Sequence, residues 1–428
     1  MGTPAEEADI SLCTLALSIS QKFSDREFNK IQLRKMRNFL VEAKKSPFYN
    51  KLFSEAGVST WPGEKLSDMQ YIPIVSRAIL NRLAKSEWLN PEIPELLRGH
   101  IVSTSGSTGN PLSFYFAKQS GIRMRAQFRY MLDYFSQTVD ALKQPVRVFN
   151  LGIKTWVYPW LMVVSGQDLE NNEGRTRLYS LLNETHPDIL FTTATYLRQL
   201  SYWMRRDKSF YQFKFIVYTA EPLSQADRSF FVRFFKCDLF SMYGIRECGL
   251  LAIECVKTRK FHLIREWGYL EIVDELGHPI PEGNFGDIVY SFYENIVNPF
   301  VRYKIGDRGR LLKTNGCPCG NVAPYLEFSG RTSEFLVSAS GKLIPCLHLS
   351  HLISESLSDE IHQVQFIQIN PGKLIIRAVF KNPNKPDVAE KLFRVVKKYL
   401  QKEFVIKLEK VMEIVPLSSG KTPLLVKK

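Results

Sequence analysis

Apolar residues recur every three or four positions in the first part of the chain, with lysines and arginines between them. Leu33, Met36, Leu40 and Ala43 have this spacing, which predicts an amphipathic helix within residues 21–55. Pro47 should interrupt that helix, because the residue before a proline avoids the helical conformation. Two further segments carry helical patterns, residues 76–89 and 117–142.

From residue 146 onward, short apolar runs alternate with helical patterns. The runs predict strands at residues 146–152, 186–191, 213–218 and 238–243, and the segments between them predict helices at 175–184, 196–206 and 224–235. Strands that alternate with helices form a parallel sheet with right-handed connections. Ligands of such sheets bind beyond the carboxyl ends of the strands, where the segments 219–222 and 244–247 fall.

The last third of the chain changes pattern twice. Residues 267–312 predict β-structure, residues 363–380 predict a hairpin, and a helix and a strand follow over 387–404 and 405–414. The sequence therefore predicts an α/β protein with two domains. A large N-terminal domain over residues 1–330 has parallel sheets and a β subdomain, and a small α+β lobe over residues 331–428 follows a short hinge.

A polar stretch, Ser103 to Pro111, separates two predicted strands. It holds five hydroxyl side chains and two glycines, and no large apolar residue. Glycines let backbone N–H groups approach an anion closely, and hydroxyls add donors for phosphate oxygens. The stretch is not a Walker A motif, which ends in Gly-Lys-Ser/Thr and opens a helix. A polar hairpin turn is the alternative interpretation.

Charge indicates an anionic partner. The 428 residues include 57 Lys and Arg against 43 Asp and Glu, a net charge of +14. Nucleotides, coenzyme A, an acidic carrier protein or nucleic acid would suit that balance. No stripe of basic residues interleaved with aromatic ones stands out, so we expect no nucleic acid partner.

Two other features bear on location and cysteine chemistry. No apolar run is long enough to span a bilayer, and the first residues are acidic where a signal peptide would be basic, so the cytoplasm is the expected location. Seven cysteines in such a chain do not form a disulfide framework. All but Cys13 lie in the second half, which favours metal binding or chance.

Six short segments, in chain order, resemble the motifs of the adenylate-forming ligases. They are similar to the family's Gly/Ser/Thr-rich phosphate loop, its adenine-side loop, its Y-G-x-x-E and R-Y-x-T-G-D motifs, the G-R before its hinge and its terminal G-K. The segments are Ser105–Pro111, Ala220–Leu223, Tyr243–Glu247, Arg302–Asp307, Gly330-Arg331 and Ser419–Lys421. Ser46–Tyr49 resembles a segment of the phenylacetate–CoA ligase-like branch, which includes capsule-biosynthesis-associated relatives.

The resemblance implies a role for each segment in the activation of an acid by ATP. The β- and γ-phosphates would be bound by Thr104, Ser105, Gly106, Ser107, Thr108 and Gly109, and the adenine would be bordered by Ala220, Glu221, Pro222, Tyr243 and Gly244. Asp307 would accept hydrogen bonds from the ribose hydroxyls, and Arg331 would lie near the ribose or a phosphate. Lys421 would be catalytic, between the α-phosphate and the substrate carboxylate.

Two metals are also implied. Glu247, the second expected catalytic residue, would help to bind Mg²⁺, whose charge offsets the triphosphate. Four further residues resemble the zinc ligands of the phenylacetate–CoA ligase branch: Cys255, His262, Cys317 and Cys319. Three thiolates and one imidazole suit a closed structural zinc site. Reduced cysteines in a core, a surface charge for Glu247, a turn residue for Asp307 and a tail lysine for Lys421 are the alternatives.

The implied substrates are ATP and a small carboxylic acid, with coenzyme A as the expected acceptor. A carrier protein or an amine is the alternative acceptor, and relatives can form homodimers. In this family the small lobe rotates after adenylation, and its hinge here would be Thr332-Ser333-Glu334. The acid pocket has three candidate residues, Trp156, Tyr218 and Met242.

Three residues depart from the family's pattern. Asn110 stands where a lysine is frequent, Ile305 replaces the usual threonine, and Glu334 stands where an aspartate is common. Asn110 removes a charge directed at phosphate, and Ile305 removes a hydroxyl beside the expected ribose ligand. These departures keep a second class of function open: a degenerate member that binds nucleotide or acyl-adenylate without turnover.

Overall fold

The computed structural model describes residues 3–58, 64–104, 111–139, 146–152, 162–164, 169, 171–223, 225–331, 335–357, 360–382, 384–400, 403–415 and 423–427. Helices and strands are numbered in chain order. The helices are α1 (Pro4–Ser20), α2 (Asp25–Ala43), α3 (Pro47–Glu55), α4 (Arg77–Leu80), α5 (Lys85–Trp88), α6 (Lys118–Ser136), α7 (Asn172–Thr185), α8 (Ala194–Arg206), α9 (Gln225–Phe235), α10 (Cys346–Leu357) and α11 (Val388–Leu400). None of these helices, in the part of the chain described, has the length and apolar character needed to cross a membrane.

The strands complete the description of the secondary structure. They are β1 (Val75–Ser76), β2 (His100–Ser103), β3 (Ser113–Phe116), β4 (Val148–Leu151), β5 (Met162–Val164), β6 (Ile189–Thr193), β7 (Phe215–Thr219), β8 (Asp238–Ile245), β9 (Gly249–Glu254), β10 (Phe261–Leu263), β11 (Gly268–Val273), β12 (Gly286–Phe292), β13 (Phe300–Leu312), β14 (Tyr325–Arg331), β15 (Phe335–Val337), β16 (Leu343–Pro345), β17 (Ile361–Asn370), β18 (Lys373–Phe380), β19 (Val405–Lys410) and β20 (Leu425–Lys427).

The helical patterns of the N-terminal part were predicted with mixed success. Pro47 does interrupt the helix expected over 21–55, because α2 ends before it and α3 begins at it. The single helix predicted over 76–89 is wrong: α4 and α5 are one-turn helices separated by residues 81–84. Ser76 instead belongs to β1, where it pairs with Lys304 of β13. Pairing with a strand distant in sequence therefore overrides the local helical pattern.

Helix α1 is present although the apolar pattern did not predict it. Thr3 and Glu6 form a reciprocal capping box, in which each side chain accepts a hydrogen bond from the other residue's backbone N–H. Pro4 occupies the first helical position, where its missing N–H costs nothing. The helix packs against α6.

The chain divides into two compact units, each assembled from separate stretches of sequence. The first contains the described parts of Met1–Gln144 and Phe240–Phe328. The second contains the described parts of Pro145–Lys154, Met162–Leu239 and Ser329–Lys428.

The first unit is built on a mainly antiparallel sheet with the strand order β11-β12-β13-β14-β10-β9-β8. Short strand β1 joins β13 in parallel, with Val75 opposite Tyr303. Strands β2 and β3 form a separate hairpin. Gly244 and Ile245, predicted to lie in a loop, extend β8 and pair with β9, so the hairpin turn falls at residues 246–248.

The second unit begins with the parallel sheet that the alternating pattern predicted. Its strand order is β7-β6-β4-β5, all neighbours are parallel, and α7, α8 and α9 connect or flank them. Leu178, Leu197, Leu200 and Phe231 contribute to the core between sheet and helices. Residues 219–222 follow the carboxyl end of β7, as expected.

The C-terminal part of the second unit has its own sheet and core. The strand order is β19-β18-β17-β20, with an antiparallel β17–β18 hairpin and parallel outer strands. Gly372 turns the hairpin with φ of +73°, a conformation that favours glycine. Leu349 and Ile353 of α10 and Leu392 and Val396 of α11 belong to this core. The α/β class and the small α+β C-terminal part are confirmed.

Candidate functional site

Two hydrogen-bonded pairs join the segment 243–247 to strand β13 within the first unit. The Tyr243 hydroxyl donates to Asp307 Oδ2 at 2.5 Å, and the Tyr303 hydroxyl donates to Glu247 Oε1 at 3.1 Å. Within each segment the two partners are four residues apart, which is at most about 13 Å of extended strand. The structure therefore brings the Y-G-x-x-E and R-Y-x-T-G-D segments together and places one carboxylate in each pair.

Asp307 lies inside β13, so the alternative that it is a turn residue is wrong. Gly306 before it has φ of +88°, a left-handed conformation that a side chain would strain. The Tyr243 ring packs against Phe328, with ring centroids 4.2 Å apart, and this contact fixes the phenol that holds Asp307. A carboxylate has capacity for further hydrogen bonds beyond this one, which is compatible with ribose hydroxyls.

Glu247 is 3% exposed, so the alternative that it is a surface charge is wrong. Arg77 Nη2 lies 3.1 Å from Glu247 Oε1 and forms an ion pair with it. Burial raises the pKa of Tyr303, so its hydroxyl stays protonated and donates to the same oxygen. Among the described residues we find no donor to Glu247 Oε2. As far as the described residues go, Oε2 is available to a cation, and Mg²⁺ in nucleotide sites is commonly held by one or two carboxylates.

Gly244 is required by the close approach of the β8–β9 hairpin. A Cβ at this position would lie 2.5 Å from the carbonyl oxygen of Gly249. We predict that Gly244→Ala lowers the free energy of unfolding by about 1–3 kcal/mol, because the hairpin backbone must shift. Gly121→Ala, at a helical site where the nearest atom is 3.8 Å from the added Cβ, is the matched control and should be neutral or stabilising. Equal thermal unfolding of both variants would contradict the prediction.

Thr104 is the part of the predicted phosphate loop that the structure describes. Its backbone N–H donates to Leu112 O at 2.9 Å, and its hydroxyl accepts from Leu112 N at 2.9 Å. These bonds close the base of the loop between β2 and β3. The remaining loop residues lie outside the described part of the chain: Ser105, Gly106, Ser107, Thr108, Gly109 and Asn110.

The predicted adenine-side loop begins with a strained residue in the second unit. Ala220 has φ of +69°, which costs a residue with a side chain about 1 kcal/mol. Glu221 Oε2 accepts a hydrogen bond from Thr195 N at 2.7 Å, so its carboxylate binds the first turn of α8, where the helix dipole favours an anion. Pro222 is exposed. Binding of adenine by this loop stays a prediction.

The other predicted residues are only partly described. Arg331 is the last residue of β14, whereas Trp156, Lys421 and the hinge residues 332–334 lie outside the described part of the chain. Tyr218 lies in β7 and is buried in the core of the second unit, and Met242 is half-buried in β8. Their roles remain predictions.

Cys255, His262, Cys317 and Cys319 come together in the first unit, with one ligand atom of each within 4.8 Å of the others. Cys317 Sγ lies 3.5 Å from Cys255 Sγ and 3.3 Å from Cys319 Sγ, and Cys319 Sγ lies 3.3 Å from His262 Nε2. A Zn–S bond of about 2.3 Å implies ligand atoms about 3.8 Å apart in a tetrahedron. The four side chains therefore have approximately the spacing of a closed metal site.

Neighbouring groups favour the forms of His262 and Cys255 that bind a metal ion. His262 Nδ1 lies 3.1 Å from Ala323 O; a carbonyl only accepts, so Nδ1 carries the hydrogen and Nε2 has its lone pair for a metal. Burial alone would raise the pKa of the Cys255 thiol, but the nearby His262 ring and the hydrogen bonds donated by the backbone N–H groups of Thr258 and Lys257 outweigh burial and bring the pKa to about 5. A thiolate is the form that ligates metal.

Sequence reasoning missed two residues of the site. Arg77 is 170 residues from Glu247 and lies in a segment whose pattern predicted only a helix. Tyr303 belongs to a matched motif, but its sequence gave no reason to expect a bond to Glu247. No local signal could have found either contact.

Comparisons with known proteins agree with the motifs. Residues 336–428 match the family model of the CapK C-terminal domain. The chain is 24% identical over 344 residues to the phenylacetate-coenzyme A ligase of Thermus thermophilus, covering 75% of this chain and 73% of that protein. It is 22% identical over 384 residues to protein CapK of Staphylococcus aureus, covering 85% of this chain and 81% of that protein.

A solved structure shares the fold. The 2-hydroxyisobutyryl-CoA ligase in its postadenylation state, in complex with R3-HIB-AMP, superposes with a TM-score of 0.79 at 14% identity, over 96% of this chain and 91% of that one. The ordered motifs, the family model, the sequence relatives and the fold all support an adenylate-forming ligase of the phenylacetate–CoA ligase-like branch.

Proposed function

We propose that this protein joins a small carboxylic acid to AMP at the expense of ATP and then transfers the acyl group to coenzyme A. In the first step a carboxylate oxygen forms a bond to the α-phosphorus, and the bond from that phosphorus to the bridging oxygen breaks, so its electron pair leaves with pyrophosphate. In the second step the sulfur of coenzyme A bonds to the acyl carbon, AMP leaves, and the thiol proton passes to solvent.

The pairs Tyr243–Asp307 and Tyr303–Glu247 carry this proposal. They bring two carboxylates, Asp307 and Glu247, to the same pair of segments, an arrangement that would suit a nucleotide with its ribose at Asp307 and its outer phosphates near Glu247. Positioning and charge neutralisation are the main requirements of transfer at phosphorus. Mg²⁺ held by Glu247 would supply positive charge for the departing pyrophosphate.

We also propose that the cluster of Cys255, His262, Cys317 and Cys319 holds a structural Zn²⁺. The four ligand types and their spacing fit a closed tetrahedral site. Cys255 follows β9, His262 lies in β10, and Cys317 and Cys319 lie between β13 and β14. The metal would tie β9 and β10 to the segment that follows β13, the strand that carries Tyr303 and Asp307.

The C-terminal lobe over residues 331–428 is proposed to bring Lys421 to the reacting atoms. Its separate hydrophobic core and the family model that begins at residue 336 support a lobe that folds as a unit. A lysine between the α-phosphate and the acid carboxylate would offset their mutual repulsion during attack.

Coenzyme A is the proposed acceptor because the curated relatives include phenylacetate-coenzyme A ligases. The net charge of +14 suits an anionic acceptor of this kind. The acid itself is not specified by any described contact.

ATP–pyrophosphate exchange with a panel of aliphatic, aryl and amino acids tests the adenylation step. We expect exchange with one class of acid and a loss of about 10²-fold or more in Lys421→Ala, because a charge that stabilises the transition state is removed. Lys427→Ala, at an exposed lysine of the same tail, is the matched control and should exchange normally. Equal exchange in both variants would make Lys421 an ordinary tail lysine.

The remaining outcomes separate the alternatives. Release of AMP with coenzyme A, but not with amines or a carrier protein, supports the proposed acceptor. ATP binding without exchange for any acid would instead support a degenerate nucleotide-binding member. Absence of ATP binding would contradict the proposed function as a whole.

A further inference from the structure

Arg77 is fixed beside the predicted magnesium ligand by the backbone and by two side chains. Strand β1 pairs with β13 so that Val75 is opposite Tyr303, and Arg77 begins the next helix, α4. Its Nη2 donates to Glu247 Oε1, the same oxygen that accepts from the Tyr303 hydroxyl. The guanidinium therefore has a defined position at one of the two nucleotide-binding pairs.

The guanidinium retains donors for another anion. It carries five N–H donors in a planar fork, and its contacts with Glu247 and Tyr303 use only part of them. The Arg77 side chain is 28% exposed whereas that of Glu247 is 4% exposed, so the arginine reaches the surface above a buried partner. An arginine anchored in this way suits bidentate binding of phosphate oxygens.

The predicted phosphate loop lacks a cation of its own. Residues 104–110 contain no lysine or arginine. The β- and γ-phosphates carry most of the negative charge of ATP. They leave together as pyrophosphate, which keeps that charge. Among the described residues, Arg77 is the cation that pairs with Glu247, so it would supply positive charge at the proposed phosphate end of the site.

We propose that Arg77 is a further substrate-binding residue, which binds the β- and γ-phosphates of ATP and the pyrophosphate released from them. This rests on the proposed function, because Glu247 marks the phosphate end of the site. Arg77 donates hydrogen bonds and transfers no proton. Glu247 holds the guanidinium through Oε1 and keeps Oε2 for the cation that accompanies the nucleotide.

Binding of inorganic pyrophosphate in buffer without magnesium, measured by calorimetry, tests the proposal without reference to turnover. Arg77→Gln should weaken binding about tenfold, since a charge-assisted bidentate contact is lost. Arg77→Lys should retain part of the affinity, because it keeps the charge but not the planar fork. The matched control is Arg198→Gln, at a half-exposed arginine that pairs with Asp227 on the other unit, and it should bind as the wild type does.

Arg77→Gln leaves Glu247 buried without its ion-pair partner, and this could unfold the protein. A second pair of variants avoids that problem. Glu247→Gln should bind pyrophosphate more tightly than the wild type in the same buffer, since a negative charge is lost and a guanidinium donor is released. Adding Arg77→Gln to Glu247→Gln should abolish that gain. Equal binding by Glu247→Gln and the double variant would overturn the proposal.

The two levels of inference fail in different ways. Wild-type protein that binds pyrophosphate, with unchanged binding in Arg77→Gln, would overturn only the role of Arg77. Wild-type protein that binds neither ATP nor pyrophosphate would overturn the proposed function and the role of Arg77 together.

Discussion

Cys317→Ser is expected to lose the bound zinc and at least about 4 kcal/mol of the free energy of unfolding, which lowers the melting temperature by roughly 10 °C for a unit of this size. Cys317 Sγ is within 3.5 Å of two other sulfur atoms of the cluster, so its removal opens the tetrahedron. Elemental analysis of the purified protein measures the zinc, and calorimetry measures the unfolding.

Cys237→Ser is the matched control for this prediction. Cys237 is a half-buried cysteine of the second unit that lies outside the four-residue cluster, so its variant should keep both its zinc and most of its stability. If the wild-type protein contains no zinc and the two variants unfold alike, the cluster is a set of reduced core cysteines.

Arg302→Met is expected to lower the free energy of unfolding by about 3–5 kcal/mol, because it leaves a buried carboxylate unpaired. Arg302 is 1% exposed, and its Nη2 lies 3.1 Å from Glu271 Oε1. It also donates to the carbonyl oxygens of Ile72 at 2.6 Å and Gly277 at 2.8 Å. The arginine of the R-Y segment is thus a structural element directly before Tyr303.

The loss in Arg302→Met should grow as the pH rises. Burial raises the pKa of Glu271 even with Arg302 nearby, and without the arginine the pKa must rise further. A carboxyl whose pKa is higher in the folded than in the unfolded protein favours folding at low pH, and this stabilisation is lost as the pH rises through the folded-state pKa. Denaturant unfolding at pH 5 and pH 8 measures the difference.

Two comparisons make this prediction specific. Arg310→Met removes an arginine that pairs with Glu327 in a bidentate but half-exposed arrangement, and it should cost less than about 1 kcal/mol. Adding Glu271→Gln to Arg302→Met should remove the pH dependence. A loss in Arg302→Met no larger than in Arg310→Met would show that burial adds nothing to this pair.

The sequence predicted the structure best where the residue types and the spacing of the apolar positions indicate the same element. Alternating strand and helix patterns predicted β6, α8, β7 and α9 closely, because each element buries one regular face. The six motifs pointed to the family because each fixes residue types at a set spacing. Cys255, His262, Cys317 and Cys319 were grouped by resemblance, and the fold brings them together.

The sequence was least informative where distant strands decide local structure. Ser76 has a helical neighbourhood, yet it pairs with β13. The partners of Glu247 come from α4 and β13, which the periodicity of residues 243–247 cannot reveal. A capping signal did exist for α1, in Thr3 and Glu6, but it is independent of the apolar pattern.

The pairs that mark the proposed nucleotide site also influence the order in which parts of the chain fold. Tyr243–Asp307 and Tyr303–Glu247 join residues 64 and 56 positions apart, and Arg77–Glu247 joins residues 170 apart. Contacts so distant in sequence are slow to form, because long loops must close first. The proposed phosphate-binding end of the site therefore forms only after β13 has formed and paired with its neighbouring strands. If the proposed function is correct, nucleotide binds only the folded unit and adds about 2.7 kcal/mol to its stability at a hundredfold excess over the dissociation constant.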